Sequence, residues 1–289
     1  MTTRPTVSAL AFLLAALAPL HAAGPTLIWS DEFNQAESTG PDPAKWTFDL
    51  GAGNPPGWGN SELEIYTDSR SNALIVSDPA ATDGKALALR ARLENGRYTS
   101  ARIHTASKFT FKYGRMEARA RVPRGAGCWP AFWALGANKP DAGWPGCGEI
   151  DVMEWVGQKP GNIKGSLHAF GYSGGKCLNA DCVLPGGASY SNAYHVFAVD
   201  WYPGEIRFSM DGAVYEIRRK ADIPAGSQWP YDRPFFILLN FAVGGKWPGP
   251  PDSDTVFPQD FRIDYVRVYK LPGTPPPVAL STPTAEHDH

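Results

Sequence analysis

The stretch FRIDYVRVYK, residues 261 to 270, repeats its bulky side chains at a period close to two, which marks a strand with one buried face. It also decides how to read YGRMEARARV (113 to 122), whose composition alone is compatible with a helix. That segment is flanked by Gly and Pro. Its neighbours in the chain show the same two-residue period: KALALRARL (85 to 93), HVFAVDWY (195 to 202), EIRFSMDG (205 to 212) and FFILLNFAV (235 to 243). Each run is bounded by Gly, Pro, Asn or Asp, as strands joined by turns are. Asp211 and Gly212, between two alternating runs, predict a hairpin. No long amphipathic helical pattern interrupts the series. The sequence therefore predicts an all-β sandwich or jelly roll over residues 24 to 271. The Pro- and Thr-rich segment 272 to 289 has no apolar period and reads as a disordered tail or linker stub.

The 289-residue chain is 43% hydrophobic and 19% charged, with a formal net charge of -2. That balance fits a globular protein and offers no basic stripe for nucleic acid. The 30 Gly and 27 Pro follow no repeating period, so many turns are their expected use. Arg4, the apolar run from Ala9 to Leu20 and the small residues Ala22 and Ala23 look like a secretory signal peptide over residues 1 to 23. The run is shorter than the roughly 20 apolar residues a membrane span requires, so export and release are expected, to the periplasm or the medium, with no membrane partner. Export permits disulfides among Cys128, Cys147, Cys177 and Cys182. Of the three ways to pair them, Cys128 with Cys147 and Cys177 with Cys182 closes short local loops and is the expected one. There is no CxxC pair and the histidines are scattered, which argues against a zinc cluster.

GEIDVMEW (148 to 155) breaks the two-residue rule that the other strands obey. Glu149 and Asp151 share a face, but regular alternation would send Glu154 to the opposite face, beside Ile150 and Val152. Val152 and Met153 are two successive apolar residues where one is due. A β-bulge absorbs the extra residue and returns Glu154 to the face of Glu149 and Asp151. At about 3.3 Å per residue the Glu149 and Glu154 backbones then lie roughly 13 Å apart, and side chains leaning together bring the carboxyls to about 5 or 6 Å. That spacing suits double-displacement glycoside hydrolysis, in which one carboxylate attacks the sugar carbon and the other protonates the departing oxygen. Crowding would keep one group charged and the other protonated, with Asp151 hydrogen-bonded to the nucleophile. On spacing alone, a solvated acidic edge strand is an equally good reading.

The aromatic residues bear on that choice. In GCWPAFWALG (127 to 136), Trp129 and Trp133 are four apart and share a strand face, while Phe132 points to the other side. Flat apolar rings beside polar groups suit the CH-rich faces of pyranose sugars. Most of the ten tryptophans, Trp155 and Trp201 among them, read better as core. GWGNSELEIYT (57 to 67) places Asn60, Glu62 and Glu64 beside Trp58, and TSARIHT (99 to 105) adds Arg102 and His104. These are compatible with sugar-hydroxyl partners and equally with ordinary surface polar residues.

Taken together, GEIDVMEW, SARIHTASKFTFKYGRMEARARVPRGAGCWPAFWALG, WGNSELEIYT, ILLNFAVGGKWPG and RIDYVRVY resemble glycoside hydrolase family 16, in particular its bacterial laminarinases, which are endo-1,3-β-glucanases. The resemblance implies a jelly roll of two curved antiparallel sheets with a glucan cleft on the concave side. It implies that Glu149 is the nucleophile, Glu154 the acid/base and Asp151 the auxiliary carboxylate. Trp129, Trp133 and Trp144 match stacking tryptophans of the family, Asn60 and Arg102 its hydroxyl partners, and His168 in GSLH a histidine near the departing sugar. No cofactor is implied for catalysis. Many members bind a structural calcium ion on the convex side, and Glu32, Asp264 and the backbone near Gly84 match that site. The expected partner is a β-1,3-glucan polysaccharide, acted on by a monomer. Cys128, Cys147 and the insertion SDPAATDG (77 to 84) depart from the family pattern.

Two other classes are compatible with parts of the chain. GYSGG (171 to 175) fits G-x-S-x-G with His195 downstream, but a nucleophile elbow needs a strand before it and a helix after it, and KCLNADCVLPGG has no helical period. A non-catalytic glucan-binding module is the third class. Retention of both Glu149 and Glu154 speaks for an enzyme, acting on β-1,3-glucan or on another β-linked polysaccharide such as mixed-linkage glucan or galactan.

Overall fold

The computed structural model describes residues 24–281. Residues 1–23, read from the sequence as a signal peptide, and residues 282–289 lie outside the described residues. In chain order the strands are β1 (Thr26–Asp31), β2 (Thr47–Asp49), β3 (Glu64–Tyr66), β4 (Ala73–Ser77), β5 (Lys85–Glu94) and β6 (Arg97–Ser100). β7 (Arg102–His104), β8 (Gly114–Arg121) and β9 (Cys128–Gly136) lead to β10 (Glu149–Trp155), β11 (Asn162–His168) and β12 (Leu178–Val183). β13 (His195–Tyr202), β14 (Glu205–Met210), β15 (Ala213–Arg219), β16 (Phe235–Val243) and β17 (Gln259–Lys270) complete the set.

These strands form two sheets of a jelly-roll sandwich. One runs β12-β11-β10-β9-β16-β7-β2, and the other is ten-stranded around a β13-β8-β17-β5 centre. Pairing is antiparallel except between β3 and β6. The period-two runs explain the layering, because alternate side chains of each strand face the partner sheet. Ile150, Phe132, Ile237, Leu239 and Phe241 from the first sheet meet Leu87, Met116, Phe197, Val199 and Val268 from the second in one fully buried core. The opposite face of the seven-stranded sheet is left to carry polar and aromatic side chains.

Asp211 and Gly212 form the two-residue hairpin between β14 and β15, with Met210 paired to Ala213. Both adopt positive φ, at 49° and 82°, as a primed turn requires. The helix reading of YGRMEARARV is excluded, since Gly114–Arg121 is a central strand. FRIDYVRVYK is a strand with a register shift between Ile263 and Tyr265, so its alternation is less regular than the sequence suggests. The shift lets Ile263, Val266 and Val268 all enter the core. In the tail, residues 272–281 form no helix or strand, yet Pro276 accepts a hydrogen bond from Arg207 and the Ser281 amide donates to Val214.

The expected disulfides are absent, and the four cysteines are free thiols. Strand geometry explains why. Cys177 and Cys182 lie five residues apart along one extended segment, roughly 16 Å, against a limit of about 7 Å for a bridge. Cys128 opens β9, whereas Cys147 precedes β10, whose Glu149 pairs with Leu135 near the far end of β9. A short loop in sequence is here a long distance in space.

Candidate active site

The site is built on the bulge in β10. Against β9, Glu149 pairs with Leu135 and Glu154 with Ala131, so five steps on β10 span four on its neighbour. Against β11 the partners are His168 and Lys164, again four steps apart. The extra residue lets Val152 and Met153 both enter the core, 1% and 0% exposed. Glu149, Asp151 and Glu154 consequently share the outer face. Gly165, opposite the bulge, is required by close packing: a Cβ there would lie 2.6 Å from Tyr215 Oη and 2.7 Å from Phe208 Cδ1.

Each carboxylate has its own surroundings. Glu154 Oε1 accepts a hydrogen bond from Trp129 Nε1 at 3.3 Å, and Oε2 accepts one from Ser166 Oγ at 3.2 Å. Glu149 Oε2 accepts Trp144 Nε1 at 3.1 Å. Asp151 Oδ2 lies 3.2 Å from His168 Nε2, which is 3.8 Å from Glu149 Oε1. The Gly174 amide nitrogen lies 3.1 Å from His168 Nδ1, and the ring turns its Nε2 toward the carboxylates.

These surroundings separate the three groups by proton affinity. Burial raises Asp151 well above the usual range, and the adjoining Glu149 and Glu154 charges raise it further. Burial raises Glu154 to about 6, with His168 opposing and Glu149 reinforcing the shift. Glu149 is raised by burial, but its main neighbours, His168, Arg102 and the Trp144 N–H, all favour its anion. For His168, burial works against protonation and the Asp151 and Glu149 carboxylates outweigh it, so its proton is held tightly.

The predicted binding residues surround this centre. Trp133 donates Nε1–H to Asn240 Oδ1 at 2.8 Å. The Arg102 guanidinium lies 4.5 Å from the Trp58 ring and 4.9 Å from Trp133, and its Nε is 2.8 Å from Asp49. Trp144 is half exposed, 6.1 Å from the His168 ring. Asn60 donates to Glu62 at 2.9 Å, and its carbonyl accepts the Lys246 amide in the loop that brings Trp247 edge-on to Trp129 at 5.4 Å. His104 sits with Asp49 and Arg102 in a pocket of about 270 Å³ at one end of this face. Glu64, by contrast, is buried and accepts the Val243 amide at 2.7 Å, a framework role.

Sequence reasoning missed Ser166, Asn240, Asp49, Trp247 and the stacking of Trp58 on Arg102. Ser166 had a signal, since it sits two residues before His168 in GSLH and so shares its face. The others depend on pairings between distant strands.

The residues matched to calcium do not fit an ion. Both Glu32 oxygens accept the Arg267 guanidinium, at 3.0 and 2.7 Å. Asp264 is held by Arg119 at 2.5 Å and by the Thr82 hydroxyl at 2.7 Å, while the Gly84 carbonyl accepts the Asp78 amide. Arginine supplies the positive charge to both carboxylates, and each is tied to a different partner. The serine-esterase reading also fails. Ser173 precedes a three-residue 3₁₀ turn, not a helix, and His195 pairs with Asp211 at 2.7 Å on the other sheet.

Two partly buried carboxylates, set among tryptophans on an outer sheet face, make this a glycoside hydrolase of the β-sandwich class. The sequence pattern of glycosyl hydrolases family 16 matches residues 63–267, and the chain belongs to that family. It is 40% identical over 256 residues to a Rhodothermus marinus "Beta-glucanase", covering 84% of this chain and 85% of that one. The laminarinase catalytic domain of Thermotoga maritima superimposes with a TM-score of 0.78 at 43% identity, over 86% of this chain and 99% of that one. An endo-β-1,3-glucanase from Pyrococcus furiosus gives 0.78 at 42% identity, over 86% and 96%.

Proposed function

We propose that the protein cleaves internal 1,3-β-D-glucosidic bonds of laminarin-type glucans by double displacement, with retention of configuration. The observation that carries this reading is the β10 bulge, which sets Glu149 and Glu154 on one face: burial raises both, Glu154 to about 6, while His168, Arg102 and the Trp144 N–H oppose the shift at Glu149. Glu149 attacks the anomeric carbon while Glu154 gives its proton to the departing oxygen, leaving a glycosyl ester on Glu149. Glu154, now a carboxylate, takes a proton from water. That water attacks the same carbon, and the bond to Glu149 breaks. Asp151, the tightest proton holder of the three, donates a hydrogen bond to the nucleophile and holds its geometry. Trp129, Trp133 and Trp144 stack on sugar rings, and Asn60 and Arg102 contact hydroxyls.

The named activities of the Thermotoga and Pyrococcus relatives support a β-1,3-glucan substrate. The bend that a bulge puts in a strand supports a surface shaped for a twisted 1,3-linked chain over a flat 1,4-linked one. The signal-like N-terminal run supports export, where such polymers are met. Chromatography of products from laminarin, curdlan, mixed-linkage glucan, cellulose and agarose tests the assignment. Oligosaccharides of mixed length should appear fastest from the 1,3-linked polymers, more slowly from mixed-linkage glucan, and not from cellulose. Faster release from agarose than from laminarin would overturn it.

A further inference from the structure

The seven-stranded sheet is chemically lopsided about its carboxylates. On one side stand Trp133, Leu135, Leu238 and Arg102. On the other, β11 and the edge strand β12 present polar groups in register, with the exposed Val183 at the end of β12. Lys164 pairs with Glu154 on one side and Asp181 on the other, and Ser166 likewise lies between Asp151 and Asn179. Residues directly opposite across strands share a face, so Asn179 and Asp181 project beside the reacting groups, about 10 Å of sheet away. They are held in place. Lys164 Nζ bonds Asp181 Oδ1 at 2.5 Å and Asn179 Oδ1 at 3.0 Å, and Arg218 donates to the Asn179 carbonyl at 2.8 Å. The Lys164 and Asp181 charges cancel, yet the Asp181 side chain stays 47% exposed. A neutral, fixed cluster of donors and acceptors suits the hydroxyls of an uncharged sugar better than it suits an ionic ligand.

We infer that Lys164, Asn179 and Asp181 form the subsite for the glucosyl residue on the departing side of the cleaved bond, and that the same subsite receives an acceptor sugar in transglycosylation. This rests on the glucanase reading above. His168, matched to the departing sugar, is on the same strand as Lys164 and fixes which side is meant. In the acceptor reaction the sugar hydroxyl oxygen attacks the anomeric carbon of the Glu149 ester. Its proton passes to Glu154, and the carbon–oxygen bond to Glu149 breaks to release the carboxylate. The bland alternative is an ion pair that merely blunts an edge strand against association.

Two substrates separate these. Laminarihexaose places a sugar in the departing subsite, whereas nitrophenyl β-laminaribioside places a phenol there. Asn179→Ala and Asp181→Asn should each lower kcat/KM on the hexaose roughly tenfold, the loss of one hydrogen bond to a sugar hydroxyl. On the nitrophenyl substrate they should stay within about twofold of wild type, and the fraction of transglycosylation product at high hexaose should fall. Equal losses on both substrates, or none on the hexaose, would overturn the subsite and leave the glucanase reading standing. A wild-type protein that leaves the hexaose uncut would instead overturn the glucanase reading itself.

Discussion

At Glu154, burial and hydrogen bonding pull in opposite directions. Burial raises the carboxyl to about 6, while the Ser166 hydroxyl and Trp129 indole favour the anion. As the group that protonates the departing oxygen, Glu154 must enter the reaction neutral, so kcat/KM should fall as pH rises through about 6. Ser166→Ala removes a donor to the anion and should shift this basic limb to higher pH. The acidic limb, set by ionisation of Glu149, should stay in place. A pH–rate profile on laminarin decides the point, and an unmoved basic limb would show that Ser166 does not act on Glu154. The three carboxylates were legible in the sequence because Val152 and Met153 are two successive apolar residues where alternation allows one. Asp49, which anchors Arg102, was not, because only the β2–β7 pairing brings the two together across more than fifty residues.

For the strand β10, the bulge joins stability to function. It buries two successive apolar side chains and, one step later, turns a glutamate outward. Deleting Met153 should restore regular alternation with Glu154 still on the outer face, remove a fully buried side chain and take the bend out of the strand. We expect a stability loss of about 3 kcal/mol by urea denaturation, from lost packing, and a lowered kcat/KM on laminarin because the bend that shapes the cleft is gone. Met153→Leu, which conserves volume, should cost less than about 1.5 kcal/mol and keep activity. A folded deletion variant with wild-type kcat/KM on laminarin would mean that the bend at the bulge does not shape the cleft. Elements are also where sequence reasoning failed, and for one reason. Cysteine pairing and calcium ligation both depend on which strands lie side by side and in what register. Neither loop length nor a local match contains that information, so Cys177 and Cys182 looked close, and Asp264 looked available until Arg119 filled its place.

Across the whole molecule, the cost of the site is three carboxylates carried on one sheet face. Asp151 is the clearest case, since its folded-state pKa is raised well above the ordinary value. The stability such a group contributes is present below the unfolded pKa, about 4, and is lost as pH rises through the folded value. Asp151→Asn should therefore raise Tm relative to wild type at neutral pH, with the difference shrinking toward pH 4, while turnover falls. Differential scanning calorimetry across that range checks it, and a variant less stable than wild type at pH 7 would refute the assigned cost.

The central claim is that Glu149 and Glu154, brought to one face by the bulge, act as nucleophile and acid in two successive displacements. Each displacement inverts the anomeric carbon, so the first product must keep the β configuration. Proton NMR during the first minutes of laminarin cleavage reads this before mutarotation blurs it. The account requires the β-anomer at the new reducing end to appear first and decay toward equilibrium; an initial α-anomer would contradict it.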